Sequence, residues 1–259
     1  MLSTSHLDVD FTHRRQTTVL LHDLNLRLER GHLVSLLGKN GAGKSTLLRT
    51  LTAASRPLAG TVAVDGHDLH SLTALQRSRL IGLVATEGIH AGALTVAELV
   101  ALGRQPHTGF LGRLSDDDRQ IVAEAIENVG IAHKAQSYVA QLSDGERQKA
   151  MIARALAQST PLIVLDEPTA FLDVASRIET MRLLSDLAHQ HDKAILLSTH
   201  DISQAVQLSD DIWLITDERE VVTGPAAEIA QPETMNRIFA GDGITFNASM
   251  KDFQITSRP

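Results

Sequence analysis

The sequence predicts an α/β fold in which a mixed sheet carries a glycine-rich loop. The first observation is the apolar run Leu33–Leu37, which leads directly into a glycine-rich loop and then into a helical pattern over residues 46–51. The second is a set of three short apolar runs at 162–165, 194–197 and 212–215, separated by segments of helix length. That alternation is typical of βαβ units, so the chain is expected to return to a parallel sheet.

The opening third is predicted to be sheet surrounding the loop and its helix. Residues 7 to 37 alternate in places between apolar and other side chains, as in Leu24-Asn25-Leu26-Arg27-Leu28-Glu29, and they turn at Arg30-Gly31. This alternation favours half-buried strands. Residues 61–66 continue the pattern.

The middle of the chain changes to a helical period. One helix is expected from Thr95 to Leu102 with Gly103 as its stop, and a second from near Ser115 to Val129 before Gly130. Asp116, Asp117 and Asp118 would suit the positive end of that second helix. We therefore expect one domain over 1–259, with a helical subdomain at about 91–159 inserted between the sheet-forming parts at about 1–90 and 160–259.

Composition limits the classes of function. With 259 residues and 43% hydrophobic residues the chain can bury a sizeable core. No apolar stretch reaches the roughly 18 residues of a membrane span, and the start lacks the pattern of a secretory signal. The chain has no cysteine, a net charge of -7 and twelve scattered histidines. These features argue against disulfides, a nucleic-acid partner and a histidine metal site.

The glycine-rich loop predicts a nucleoside triphosphate site. Residues 38–45 fit the pattern GxxxxGKS, in which backbone N–H groups face the phosphates, Lys44 reaches the β and γ oxygens and Ser45 binds Mg²⁺. The helix that follows would add its N-terminal dipole. The residues predicted to hold the nucleotide here are Gly38, Lys39, Asn40, Gly41, Ala42, Gly43, Lys44, Ser45 and Thr46.

Two later strands are predicted to end in the polar groups that such a site needs. The run 162–165 is followed by Asp166 and Glu167, and the run 194–197 by Ser198, Thr199 and His200. Ligands of open α/β sheets bind at the carboxyl ends of the strands. Asp166 would then hold Mg²⁺ with Ser45, Glu167 would polarise an attacking water, and His200 would hydrogen-bond the γ-phosphate. Taken singly, each could instead be a local hydrogen-bonding group at a strand end.

A second phosphate-facing turn is predicted between these regions. Residues 142–146, Leu-Ser-Asp-Gly-Glu, precede a helix-forming stretch, so Ser143 and Gly145 would lie at a helix N-terminus. Ser143 with Glu146 three residues later also fits an ordinary capping box, which needs no ligand.

Together these motifs resemble the ATP-binding cassette (ABC) family. The phosphate loop, LSDGE at 142–146, LDEP at 165–168, Phe171-Leu172-Asp173 and His200 occur in the family's order. The resemblance covers roughly residues 7 to 216, with a short tail after it. It implies a P-loop NTPase cassette with a mixed-sheet RecA-like core, an antiparallel β-subdomain and the inserted helical subdomain.

The resemblance also implies a mechanism. Two subunits would form a head-to-tail homodimer around ATP and Mg²⁺, each nucleotide lying between one phosphate loop and the partner's Ser143 and Gly145. Asp173 would couple the two sites. Lys44, Glu167 and His200 would carry the hydrolysis that opens the dimer.

Four positions depart from the family pattern or stay open. The usual LSGGQ is LSDGE here, so Asp144 and Glu146 add negative charge that Arg147 or Lys149 could offset. In place of the family's magnesium-sensing glutamine the candidate is Glu87, with Thr86 as the alternative register. The adenine-stacking ring would be Phe11, with His13 as its alternative.

Residues 100–108 resemble the cassettes of importers for siderophore-bound iron, haem and cobalamin. That resemblance implies a peripheral ATPase at the cytoplasmic face of the inner membrane, bound to a polytopic permease dimer. A periplasmic or surface substrate-binding protein would be an indirect partner. Two alternatives are a soluble cassette ATPase that acts on a protein or nucleic-acid assembly and the cassette of a different transporter or exporter.

Overall fold

The computed structural model describes residues 1–13, 16–85, 93–109, 112–239 and 243–255. The strands in these ranges are β1 (Leu2–His13), β2 (Gln16–Leu24), β3 (Arg27–Leu28), β4 (Leu33–Leu37), β5 (Ala59–Val64), β6 (His67–Asp68), β7 (Ile81–Val84), β8 (Leu162–Asp166), β9 (Ala194–Ser198), β10 (Asp211–Ile215), β11 (Val221–Pro225), β12 (Ile244–Asn247) and β13 (Asp252–Ile255). The α-helices are α1 (Lys44–Leu51), α2 (Ala74–Ser78), α3 (Val96–Ala101), α4 (Asp116–Asn128), α5 (Asp144–Ala157), α6 (Val174–Gln190), α7 (Ile202–Leu208), α8 (Ala226–Ile229) and α9 (Pro232–Phe239).

The larger sheet has the strand order β11-β10-β4-β9-β8-β7. Its pairings are parallel except for the β10–β11 hairpin at one edge. Every residue of β4 and β9 is buried, as expected for strands covered on both faces. The carboxyl ends of β4, β8 and β9 therefore meet at one edge, with Asp166 directly beside Ser198. The predicted α/β class is confirmed, as is the parallel pairing of the three later runs within a mixed sheet.

The strands of the opening third are divided between two sheets. β1 pairs antiparallel with β2, β3 and β5, and β6 extends this second sheet beyond β5, whereas β4 and β7 belong to the larger one. The buried side chains of this antiparallel sheet face a core that also contains Leu47 and Leu51 of α1. The antiparallel sheet therefore packs against the helix that follows the phosphate loop.

Helices dominate residues 95–158, as the periodicity predicts. Thr95, Ser115 and Ser143 each cap a helix through a reciprocal capping box, and α3, α4 and α5 pack around a shared core. α3 is shorter than expected, because residues Leu102–Arg104 form a 3-10 turn. A Cβ on Gly103 would lie 2.2 Å from the Arg154 carbonyl oxygen, so this turn packs directly on α5 only with glycine there.

The segment after residue 216 is more organised than the short tail expected from the sequence. β11 closes the larger sheet, and the β12–β13 hairpin packs near α7 and α9 through an aromatic cluster of Phe239, Phe246 and Phe253. Among the helices of the described ranges, none combines the length and apolar character needed to span a bilayer.

Candidate nucleotide site

The phosphate loop runs from the end of β4 to the start of α1. Gly41 and Gly43 have φ values of +80° and +106°, a region that side-chain-bearing residues rarely adopt. This backbone lets successive N–H groups face inward, which is the arrangement that binds phosphate oxygens. The conformation therefore explains why glycine stands at both positions, of which the motif itself requires Gly43.

Lys44 lies across its own loop. Its Nζ donates to the carbonyl oxygens of Gly38 (2.8 Å) and Lys39 (3.3 Å), and the residue is 6% exposed. Burial lowers the pKa of the Lys44 ammonium below its usual 10.5, against the opposing pull of the Glu167 and Asp166 carboxylates. The cation is thus positioned where a triphosphate would replace the two carbonyl contacts.

Lys39 contributes differently from Lys44. Its Nζ lies 2.6 Å from Asp217 Oδ2, in the turn between β10 and β11. The side chain therefore ties the loop to the neighbouring hairpin, and only its backbone faces Lys44.

Asp166 is the centre of a chain of short contacts at the sheet edge. Its Oδ1 accepts from Ser45 Oγ (3.3 Å) and from Ser198 Oγ (2.6 Å). Ser198 Oγ in turn accepts the Glu167 N–H at 2.9 Å. Ser198 was predicted to lie at this strand end but was given no role, although its place two residues before His200 was a usable signal.

The oxygen atoms at this edge fit Mg²⁺. A serine hydroxyl and a carboxylate converge there, and hard oxygen ligands are those that Mg²⁺ prefers. The described residues contain no cluster of three or more His, Cys, Asp and Glu side chains suited to a metal. Ser45 and Asp166 would therefore share the ion with phosphate oxygens and water, as in other phosphate-loop sites.

Glu167 and His200 are in direct contact. His200 Nε2 lies 2.5 Å from Glu167 Oε1, and both side chains remain partly exposed. Glu167 has φ of +49°, an uncommon value for a residue with a side chain. Such local strain persists where the surroundings hold it, here the Ser198 hydroxyl on its N–H.

Lys44, Ser45, Glu167 and His200 line one cleft of about 380 Å³. Its lining residues are Phe11, Leu20, Asn40, Gly41, Gly43, Lys44, Ser45, Thr46, Glu167 and His200. Phe11 is half exposed at its wall, where a ring face could stack on a base. The side chain of His13 and the whole of Thr86 and Glu87 lie outside the described residues.

Three further candidates lie apart from that cleft. Ser143 and Gly145 begin α5, and Asp173 caps α6 by accepting the N–H and hydroxyl of Ser176. A Cβ on Gly145 would come within 2.9 Å of Ser176 Oγ, so the two helix starts pack closely. None of the three candidates is among the cleft's lining residues within the described ranges.

The acidic residues of the turn at 142–146 are both paired. Arg147 contacts Asp144 at 2.8 Å, as one of the expected offsets, and Lys134 contacts Glu146 at 3.1 Å. Lys149 instead pairs with Glu179 at 2.9 Å. Of the two alternative offsets, Arg147 therefore pairs with an acidic residue of the turn, whereas the side chain of Lys149 crosses from α5 to α6.

Residues 21–170 match the family described as ABC transporter. This chain belongs to the ABC transporter family. The cassette is 35% identical to the iron(3+)-hydroxamate import ATP-binding protein of Bacillus subtilis over 93% of the chain and 88% of that protein. It is 39% identical to the cobalamin import ATP-binding protein of Halobacterium salinarum over 92% of the chain, which spans 58% of that longer protein.

Solved structures of ABC transporters share the fold of this chain. A metal-chelate type ABC transporter in an inward-facing conformation aligns with a TM-score of 0.79 and 30% identity, over 92% of the cassette and 88% of that chain. The dimeric bacterial cassette MJ0796 aligns with a TM-score of 0.75 and 28% identity, over 87% and 99%. A post-hydrolysis state of MJ0796 contains ADP and phosphate. The cassette is thus an ABC-type ATPase, in a family whose cassettes bind ATP and dimerise.

Proposed function

We propose that this cassette is the ATP-hydrolysing subunit of a membrane importer for iron complexes or cobalamin. The observation that carries the ATPase part is the chain of contacts Ser45–Asp166–Ser198 beside the Glu167–His200 pair. The cargo class is supported by the names of the relatives, which import iron(3+)-hydroxamate and cobalamin.

Each residue at the sheet edge has a role in hydrolysis. Lys44 neutralises charge on the β and γ oxygens, while Ser45 and Asp166 would hold Mg²⁺, which would supply Lewis-acid stabilisation of the phosphates. Glu167 orients the attacking water and accepts its proton. The water oxygen bonds to the γ phosphorus as the bond to the bridging oxygen breaks, leaving ADP and phosphate. His200 holds Glu167 in place and hydrogen-bonds the γ-phosphate.

A second copy of the cassette would complete each site with its own Ser143 and Gly145. The exposed apolar residues beside Asp173 support this, since Phe171 and Val174 are 76% and 69% exposed. Exposed apolar groups at a turn of this kind are typical of a contact surface. Asp173 lies between them and would connect the two sites.

The helical subdomain at about 91–159 would contact the permease at the cytoplasmic membrane face. Within 100–108, Arg104 and His107 bond to the end of α5, and the Pro106 carbonyl accepts from Arg79 Nε of the core. This loop is therefore fixed to both parts of the cassette, so that a force applied there would reach the sheet.

The test is co-purification of the tagged cassette from its own cells in mild detergent. We expect a polytopic membrane protein to copurify, and deletion of the cassette to abolish uptake of one among haem, ferric siderophores and cobalamin. The Lys44→Ala variant should copurify with the same partner without restoring uptake. Recovery free of any polytopic partner, with all three uptakes intact, would reject the importer and favour the soluble alternative.

A further inference from the structure

The two acidic residues of the turn at 142–146 differ in how they are neutralised. Asp144 is 64% exposed and pairs with Arg147 one turn along the same helix. The Glu146 side chain is 27% exposed and pairs with Lys134, which lies in the 3-10 turn Ala132–Lys134 after α4. An exposed pair within one helix contributes little, whereas a half-buried pair between two elements also fixes their relative position.

Glu146 uses both of its carboxylate oxygens. Oε2 accepts the N–H of Ser143 at 2.9 Å and its hydroxyl at 3.1 Å, while Oε1 accepts Lys134 Nζ at 3.1 Å. The hydrogen bond from the Ser143 N–H, assisted by Lys134, lowers the pKa of Glu146 below its usual 4.5. Glu146 is therefore an anion at neutral pH, directly against the hydroxyl that ATP closure needs.

A γ-phosphate from a second copy would compete with this carboxylate. To accept the Ser143 hydroxyl, a phosphate oxygen must replace Oε2 as its acceptor, and it would then lie within a few ångströms of that carboxylate. An uncompensated carboxylate there would repel the phosphate, since like charges a few ångströms apart disfavour each other. Lys134 is the cation that contacts Glu146.

We infer that Lys134 is a positioning residue for ATP-driven closure, because it neutralises Glu146 while Glu146 holds Ser143. The inference rests on the proposed function, in which Ser143 contacts the partner's nucleotide. Lys134 itself need not touch ATP. Its action through Glu146 distinguishes it from a cation that attracts the phosphate directly.

The first measurement is the ATP concentration that gives half-maximal dimer formation. Sedimentation monitors the dimer, and the Glu167→Gln background prevents turnover. Lys134→Met should raise that concentration about three- to five-fold, the size of a lost partly exposed ion pair. Lys134→Arg should restore it. Lys149→Met, which removes an equal charge from α5 that pairs with Glu179 of α6, is the matched control and should change that concentration less than about 1.5-fold.

The second measurement repeats Lys134→Met in a Glu146→Gln background. Glutamine keeps an oxygen for Ser143 but carries no charge, so the Lys134→Met effect should fall below about 1.5-fold. In the turnover-competent protein, Lys134→Met should raise KM for ATP and leave kcat nearly unchanged. An equal effect in both Glu146 backgrounds, or a loss confined to kcat, overturns the inference.

Ser143→Ala distinguishes failure of this inference from failure of the proposed function. The substitution should weaken ATP-driven dimerisation by about ten-fold, as expected for a lost hydrogen bond to a charged group. If Ser143→Ala leaves dimerisation unchanged, the proposed two-copy site fails and the inference with it. If Ser143→Ala weakens it while Lys134→Met does not, the inference alone fails.

Discussion

The sheet edge and the helical segment prepare their functional groups in opposite ways. At the edge, Asp166, Glu167 and His200 come from neighbouring strand ends and bond across them, directly or through Ser198. In the helical segment, Ser143 is satisfied by Glu146 of its own helix.

The difference shows which groups need no change of hydrogen-bond partner before they can act. In the proposed function, the edge residues would bind nucleotide and transfer a proton with their present contacts, whereas Ser143 would have to exchange its hydrogen-bond partner before contacting a phosphate. Changes at the edge should therefore affect chemistry, and changes in the helical segment should affect stability or closure.

The largest expected effect is at the edge. Glu167→Gln should lower kcat for ATP hydrolysis at least about 100-fold, because the amide cannot accept a proton from the attacking water. ATP binding should persist, and dimers should accumulate with ATP. Steady-state hydrolysis and sedimentation measure the two effects. Glu179→Gln, an equal charge change in an exposed side chain, is the control; turnover near the wild-type level in Glu167→Gln would reject Glu167 as the base.

Arg104 should be the next most sensitive position, and the expected effect is on stability. The residue is 6% exposed, and its guanidinium donates to Asp118 Oδ1 (2.8 Å), the Ala157 carbonyl (2.7 Å) and Ser159 Oγ (2.9 Å). Arg104→Met leaves these groups without their donor and should lower Tm by about 5–10 °C. Arg119→Met, which removes an exposed pair with Asp116, should leave Tm within about 1 °C in the same calorimetric scan. Equal shifts in the two variants would contradict a buried anchoring role.

The contact between Arg104 and Asp118 also predicts that stability depends on pH in the acid range. Hydrogen bonds from Ser115, then from Arg104, lower the pKa of Asp118 from 3.8 to about 2. A depressed carboxyl pKa contributes stability that is present above the unfolded value and is lost as pH falls through the folded one. The difference in unfolding free energy between wild type and Asp118→Asn should therefore be constant above pH 5 and shrink toward pH 2. Denaturant titrations at several pH values check this, and a constant difference would contradict it.

The sequence was sufficient for features that depend on local pattern. Three of the expected helix starts coincide with capping boxes, at Thr95, Ser115 and Ser143, because caps are set by residues three apart. Asp166 and His200 could be placed near the phosphate loop because parallel strands end at a common edge.

Contacts between distant segments could not be predicted in the same way. Lys134 and Glu146 belong to different elements, and nothing in their spacing marks them as partners. Lys149 is closer to Glu146 in sequence than Lys134 is, yet its position on α5 directs its side chain to Glu179. The same limit applies to Arg104 and Ala157, whose contact depends on the packing of the turn after α3 against α5.

The smallest expected effect is at Asp144, and it tests how far the charge of the helical turn matters. Asp144→Gly removes a carboxylate that Arg147 already pairs at 2.8 Å, in an exposed contact. The ATP concentration for half-maximal dimerisation should then fall by less than about two-fold. Arg147→Met, which frees the same carboxylate, should shift it the other way by a similar factor. A tightening of ten-fold or more in Asp144→Gly would mean that Arg147 does not neutralise Asp144, and that the turn opposes closure through both acidic residues.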